Sequence, residues 1–117
     1  MRAGPLAVAG IFLSAGATVA APMMPSDIQA TFFNGQPFNA STLSGTKFKM
    51  IFAPDGTMTR EPRGKSGAKS SGTWKLDTSG FCTTWKTAET NCYIITPSGK
   101  NKWSVQKGST TIATWAK

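Results

Sequence analysis

Few side chains in this sequence could take part in catalysis. None of the 117 residues is a histidine, which excludes imidazole as a general base, as a metal ligand and as the partner of a serine or cysteine nucleophile. The five acidic residues are Asp27, Asp55, Glu61, Asp77 and Glu89. Four of them fall at the start of a predicted helix or in or beside predicted turns, where carboxylates commonly have structural roles. We therefore predict no catalytic residue and no enzymatic activity; a carboxylate pair such as Asp55 and Glu61 is the alternative that the sequence leaves open.

Both cysteines, Cys82 and Cys92, lie within the segment 72–95, which reads GTWKLDTSGFCTTWKTAETNCYII. The alternation of polar and apolar residues in this segment predicts three strands joined by tight turns. If the two cysteines face each other in an antiparallel pair, Thr84 faces Thr90 and a three-residue loop remains, which is a common hairpin length. This register suits a cross-strand disulfide. The cysteines are then not available as nucleophiles, and we predict neither a metal site nor a cofactor.

The two faces of this hairpin differ in character. One face carries both cysteines and Ile94. The other face is mainly aromatic and consists of Phe81, Thr83, Trp85, Tyr93 and Ile95. The pattern favours the aromatic face for the protein core, which places the disulfide on the outside; the reverse arrangement is the alternative.

Basic residues offer a second kind of chemistry, the binding of anions. The chain has 13 Lys and Arg against 5 Asp and Glu, a formal net charge of +8, which favours acidic partners and also accounts for solubility. Arg60, Arg63, Lys65 and Lys69 are spaced by glycine and serine in a predicted flexible loop, and such groups suit phosphates, acidic sugars or acidic proteins. These four are the predicted anion-binding residues; the alternative is a solvated connector. No nucleic acid is expected, because aromatic residues do not interleave with these charges.

The first 20 residues have the features of a secretory signal peptide. Arg2 precedes an apolar stretch of small residues, and small side chains lead up to Ala20, where we predict cleavage. Residues 21–117 then form one exported domain. The apolar stretch is shorter than the roughly 20 residues that a spanning helix needs, so no transmembrane span is expected in the mature chain. Paired cysteines are typical of exported proteins.

A short helix is predicted at the beginning of this domain. The sequence Ser26-Asp27-Ile28-Gln29 has the pattern of a capping box, and Asn34-Gly35 is a stop signal. These signals predict a helix of about two turns that packs on one end of the main body. The alternative is a first strand, because Thr31-Phe32-Phe33 has strand propensity.

From Gln36 onward the sequence predicts about seven or eight short strands joined by tight turns. Sequential hairpins of this kind build an all-β, antiparallel, up-and-down meander that closes into a small barrel; a β-sandwich is the alternative. Strand alternation assigns eight side chains to the barrel interior or to a ligand pocket, namely Phe48, Met50, Phe52, Trp74, Leu76, Phe81, Trp85 and Tyr93. Because a small barrel fills its interior with its own side chains, a packed core is the first expectation and a pocket the alternative.

Several motifs of the chain occur in a recognisable order. They are FAPDGT at 52–57, Gly-Thr-Trp at 72–74, Cys-x-x-Trp at 82–85 and a second cysteine, Cys92. Together they resemble a family of small exported bacterial β-barrel proteins, lipocalin-like in outline, that is classified only as a domain of unknown function. The resemblance covers residues 26–115. It implies a periplasmic or cell-envelope location and assigns no activity and no catalytic residue.

Three functions follow as hypotheses from these observations. The first is a non-enzymatic envelope protein that binds an anionic surface component or an acidic protein through the basic loop. The second is a lipocalin-like carrier of a small apolar ligand. The third is an inhibitor of an exported hydrolase, because small barrels with a disulfide also serve as inhibitors.

Overall fold

The computed structural model describes residues 20–64, 68–86 and 88–117. Within these residues the chain forms one helix and eight strands. They are α1 (Pro25–Phe32), β1 (Phe38–Thr42), β2 (Lys47–Phe52), β3 (Thr57–Pro62), β4 (Ser70–Leu76), β5 (Phe81–Trp85), β6 (Thr90–Gly99), β7 (Lys102–Lys107) and β8 (Thr110–Ala116). The predicted signal peptide, apart from Ala20, lies outside the described residues, and so does Lys65.

The eight strands form a closed antiparallel barrel. Each strand pairs with the strand that follows it, and β8 returns to pair with β1. The closing register places Asn39 opposite Ala116 and Thr42 opposite Ala113. Every described strand therefore has a neighbour on both sides, which removes the exposed edges of an open sheet. The predicted all-β meander is confirmed, and the structure is a barrel rather than a sandwich.

Helix α1 starts at Pro25, with Met24 in the N-cap position and no side chain capping it. The predicted capping box, with Ser26 as the cap, is therefore wrong. Proline suits the first turn of a helix because its φ is already helical and its missing N–H needs no partner there. At the other end, the side-chain amide of Asn34 donates a hydrogen bond to the Ala30 carbonyl oxygen at 3.0 Å. The predicted short helix is confirmed in place of the alternative first strand.

The apolar face of α1 fills one end of the barrel. Phe32 is fully buried, and Phe33, the residue directly after the helix, is 1% exposed. The Phe32 ring meets three other rings edge-on at centroid distances of 4.8 to 5.0 Å, those of Phe38, Trp103 and Trp115. Edge-to-face pairs of this kind add roughly 0.5–1.5 kcal/mol each to the gain from burial. The helix is thus part of the core and not an attachment to its surface.

Phe33 continues this aromatic packing toward the middle of the barrel. Its ring stacks on Phe52 with centroids 4.4 Å apart and meets Phe81 edge-on at 5.2 Å. The ring of Trp74 lies 4.6 Å from that of Phe33, and its indole N–H donates a hydrogen bond to the Ala53 carbonyl oxygen at 2.8 Å. The half-buried Trp74 therefore joins the barrel wall to the aromatic core.

Lys117 connects the end of β8 to the helix. Its Nζ donates a hydrogen bond to the Thr31 carbonyl oxygen at 2.5 Å and lies 5.8 Å from the centroid of the Phe32 ring. A cation near the C-terminal end of a helix is favoured by the helix dipole. The contact joins residues that are 86 positions apart in the sequence.

The central hairpin has the predicted register. Cys82 lies opposite Cys92, Thr84 lies opposite Thr90, and the two cysteines form a disulfide. Phe81, 1% exposed, belongs to the core, whereas Cys92 is exposed. The aromatic face of the hairpin is therefore the inner one.

Replacing both cysteines by serine should lower the free energy of unfolding by about 2–3 kcal/mol, because the disulfide closes a loop between residues 10 positions apart. Denaturant unfolding of the oxidised protein and of the double variant measures the difference. The intact mass of the native protein should be about 2 Da below that of the dithiol chain. Two free thiols in protein isolated from its own cells would contradict this prediction.

Trp74→Ala should cost about 3–5 kcal/mol of unfolding free energy, because it removes a large ring from the aromatic core. Trp74→Phe keeps most of the packing and loses the hydrogen bond to Ala53, so its cost should be nearer 1 kcal/mol. Thermal and chemical denaturation of the two variants gives both values. An alanine variant that unfolds at the wild-type midpoint would show that Trp74 is not a core residue.

Candidate functional site

The end of the barrel opposite to α1 is hollow. A cavity of about 130 Å³ lies there inside the barrel wall. Its floor is formed by rings of the core, Phe52, Phe81 and Trp115, and its walls include Phe48 and Trp85. The cavity is thus mainly apolar and aromatic, and it begins where the packing of α1 ends.

Arg60 is the charged residue among those that line this cavity. It lies in β3 two positions after Met58, which is 1% exposed, so strand alternation turns both side chains inward. The guanidinium carbon of Arg60 lies over two rings, 4.4 Å from the centroid of Trp85 and 5.1 Å from that of Phe48. Cation–π contacts of this kind are stronger when the cation is partly desolvated.

No carboxylate neutralises Arg60 among the described residues. The ion pair found there joins Lys49 and Glu61 on the outside of the barrel, with Nζ and Oε1 3.3 Å apart. The guanidinium of Arg60 is a planar group with N–H donors, and it lies near the mouth of the cavity. The aromatic rings compensate part of the lost hydration, and among the described residues no hydrogen bond from the guanidinium N–H groups is found.

Four further polar residues line the same cavity, namely Ser41, Thr42, Thr83 and Tyr93. Thr83 is 4% exposed and lies in β5 between two inward-facing aromatic residues, Phe81 and Trp85. Tyr93, half-buried, faces Phe81 across the hairpin and supplies a phenol. An apolar cavity with a few converging polar groups is the usual composition of a small-molecule site.

The structure does not keep the four predicted anion-binding residues together in one loop. Arg60 belongs to β3 and faces the cavity, whereas Arg63, after the end of β3, and Lys69, just before β4, are exposed. Lys65 lies outside the described residues. Arg60 can face the interior because its long apolar stem packs there while its guanidinium stays near the mouth.

The eight residues predicted for the interior divide between core and cavity. Trp74 and Leu76 pack against the core beside α1 and do not line the cavity. The six that line the cavity are Phe48, Met50, Phe52, Phe81, Trp85 and Tyr93. The interior is therefore packed at one end and hollow at the other. The packed-core interpretation applies to the end that holds α1, and the pocket interpretation applies to the opposite end.

The mouth of the cavity is basic. Lys69 and Lys86 are exposed, and together with Arg60 they line a depression beside the cavity. The sequence predicted Lys86 only as part of the loop of the central hairpin and not as a site residue; its place beside the cavity follows from the pairing of β5 with β4, next to which its N–H donates a hydrogen bond to the Ser71 carbonyl oxygen. It also did not name Thr83 as a site residue, although its place on the inward face of β5 was readable from the alternation.

The acidic residues have structural surroundings. The Thr57 hydroxyl and backbone N–H donate hydrogen bonds to Oδ1 of Asp55 at 2.7 and 3.0 Å, and these bonds hold the pKa of the Asp55 carboxyl below its ordinary value. Glu61 is paired with Lys49 near the other end of β3. Asp55 and Glu61 therefore do not form the carboxylate pair that the sequence left open.

A group of three potential metal-ligating side chains lies at the helix-bearing end of the barrel. Asp77 and the two cysteines have their ligand atoms within 4.8 Å of one another. The sulfur atoms are bonded to each other in the disulfide, and Oδ1 of Asp77 accepts hydrogen bonds from the backbone N–H groups of Ser79 and Gly80 at 3.0 and 2.6 Å. The cysteine sulfurs therefore form the disulfide, and the Asp77 carboxylate stabilises the turn between β4 and β5.

Within the described part of the chain, α1 is too short to cross a lipid bilayer.

Neither a protein-family model, nor a curated protein, nor a solved structure was found to match the chain.

The position of Trp85 depends on a glycine across the sheet. Gly72 lies in β4 opposite both Met58 and Trp85. A Cβ atom at Gly72 would come within 2.5 Å of the Thr84 carbonyl oxygen and 2.9 Å of the Met58 methyl carbon. The missing side chain therefore lets β3, β4 and β5 carry Arg60 and Trp85 close enough to stack.

Gly72→Ala should destabilise the protein by about 1–3 kcal/mol, because the added methyl group has no room beside a backbone oxygen. The matched control is Gly99→Ala in β6, where an added Cβ would meet only Lys102 Cβ at an ordinary 3.9 Å. Urea unfolding of both variants makes the comparison. Equal stability of the two variants would mean that β4 and its neighbours adjust without cost.

Proposed function

We propose that the protein is a non-enzymatic, exported binding protein that holds a small, mainly apolar molecule in the open end of its barrel. The observation that supports this most directly is the cavity of about 130 Å³ next to a buried aromatic core. An engineered apolar cavity of about 150 Å³ in another protein binds benzene. The ligand proposed here is therefore about one aromatic ring, or a short branched chain, in size.

The cost of the empty space also favours a binding role. Rings that line an unfilled space lose the packing contacts that neighbouring atoms would supply. Larger side chains at Ala40 or Ala113, which line the cavity, would fill it. The same barrel fills its other end with Phe32 and Phe33, so the hollow end is not a general consequence of the fold.

The disulfide supports the proposed location. Disulfides persist in oxidising compartments such as the periplasm and the extracellular space. The bridge between Cys82 and Cys92 therefore agrees with the signal peptide predicted from the sequence, which would leave Ala21 as the first residue after cleavage. The motif resemblance to exported bacterial barrels points to the same compartment.

A second candidate function rests on the exposed charges around the mouth. Arg63, Lys69 and Lys86 are all exposed near this end of the barrel. They could hold an anionic envelope component or an acidic protein, and such binding would weaken steeply with salt because exposed charges are screened over about 10 Å at 0.1 M. Binding in the cavity would depend much less on salt, which distinguishes the two.

Filling the cavity should abolish ligand binding without unfolding the protein. In Ala113→Leu the larger side chain occupies space that the ligand needs, and the variant should be as stable as the wild type or more stable. Ala30→Leu, on the exposed side of α1, is the matched control and should bind normally. Titration with benzyl alcohol, followed by chemical-shift changes of Trp85 and Tyr93, measures binding in each.

Native mass spectrometry of protein purified from its own cells provides the complementary measurement. A bound species of small mass in the wild type, absent from Ala113→Leu, would support the proposal. Unchanged benzyl alcohol binding in Ala113→Leu, or no binding of small apolar molecules to any of the three proteins, would refute it.

A further inference from the structure

We infer that the ligand of this cavity is a small aromatic carboxylate and that Arg60 binds its carboxylate group. The inference rests on the proposed function of the cavity and adds the chemistry of the ligand. The supporting observation is a guanidinium at the mouth of an aromatic cavity without an acidic partner among the described residues.

The charge of Arg60 needs compensation at its place in the barrel. A cation that is turned into a barrel loses part of its hydration, and this loss is costly unless an anion or hydrogen-bond acceptors replace the water. The rings of Trp85 and Phe48, 4.4 and 5.1 Å away, contribute only part of the compensation. The described carboxylate of β3, Glu61, faces outward and is paired with Lys49. A ligand anion would complete the compensation.

The geometry of a guanidinium favours a planar anion with two oxygens. A guanidinium is planar, and its N–H donors match the two oxygens of a carboxylate in a bidentate pair. The rings of Phe48 and Trp85 restrict the guanidinium, so less freedom is lost when the pair forms. A lysine at this position would offer a point charge without this geometry.

The rest of the cavity favours a ligand with an aromatic ring. Beyond Arg60 the cavity is lined by Phe52, Phe81 and Trp115, whose rings belong to the core. A volume of about 130 Å³ accommodates roughly one ring there. Thr83 and Tyr93 offer hydroxyl groups to a second polar substituent. The ligand would therefore lie with its ring toward the core and its carboxylate toward the mouth.

The surroundings of the mouth agree with an anionic ligand. Lys69 and Lys86 are exposed beside Arg60 and line the adjoining depression. Like charges around an opening raise the local concentration of the oppositely charged ligand and its rate of entry. They do not supply the specific contact, because both side chains lie in solvent.

The structural alternative is that Arg60 serves only to cover apolar surface with its stem. Arg60→Met separates the two roles, because methionine keeps the apolar stem and removes the charge. If Arg60 only packs, the variant should bind every ligand as the wild type does. If it binds a carboxylate, the variant should lose affinity for acids alone.

The experiment titrates the full exported protein with benzoate and with benzamide, which has nearly the same shape and no charge, using calorimetry or chemical-shift changes. Wild type should bind benzoate at least roughly tenfold more tightly than benzamide, the factor expected for a charge-assisted pair. Arg60→Met should lose that preference while its affinity for benzamide changes less than about twofold. Arg63→Met, which removes an exposed charge nearby, should keep the preference.

The outcomes separate this inference from the function on which it rests. Equal affinity of the wild type for benzoate and benzamide overturns the inference and leaves cavity binding intact. Absence of binding by both overturns the two together. Loss of the preference in Arg63→Met as well as in Arg60→Met would assign it to the charge of the mouth and overturn the role of Arg60.

A second measurement applies if Arg60→Met does not fold. In the wild type, the ring protons of bound benzoate should show nuclear Overhauser contacts to Phe52, Phe81 and Trp115, and its affinity should decline only modestly with salt. Arg60→Lys keeps the charge and loses the planar pair, so its preference for benzoate should be smaller than in the wild type. Contacts to exposed residues alone would overturn the inference.

Discussion

The insertion of Phe32 and Phe33 into one end of the barrel is the contact on which the remaining structure depends. An eight-stranded barrel has an interior just wide enough to be filled by side chains. Helix α1 brings two rings into that space, and they pack against Phe52, Phe81 and Trp115 near the middle of the barrel. The interior beyond these rings is left to the strands alone. Because the strands do not fill it, the cavity lies at the other end.

The candidate site is built from strands and not from loops. Arg60, Thr83 and Tyr93 lie in β3, β5 and β6, and the rings beside them lie in β2 and β5. Residues on paired strands are held in fixed positions by backbone hydrogen bonds, so the cavity is preorganised and little freedom is lost on binding. The exposed lysines at the mouth lie just outside the strands. They contribute charge, but strand pairing does not hold them in a fixed orientation toward a ligand.

Strand pairing was the most predictable part of this protein, because a two-residue period and two opposed cysteines fix the register of the central hairpin. The start of α1 was misread, since Ser26 and Gln29 imitate a capping box while Pro25 sets the first turn. The location of Arg60 could not be predicted from composition. The sequence does not distinguish the four basic residues, because all of them lie in one segment rich in glycine and serine. The pairing of β3 with β2 and β4 directs the side chain of Arg60 inward.

The hydrogen bond from Lys117 to Thr31 affects the order in which the barrel folds. It joins residues 86 positions apart, and Phe32 meets Trp115 across a similar separation. Contacts so distant in the sequence form slowly, because a long loop must close before they can stabilise anything. During synthesis, which runs from the N-terminal end, Phe32 and Phe33 can meet Phe38 and Phe52 once β1 and β2 are made, but the contacts to Trp103 and Trp115 form only when β7 and β8 follow. Until the last strand closes the barrel, the two phenylalanine rings are therefore only partly covered and can contact other chains.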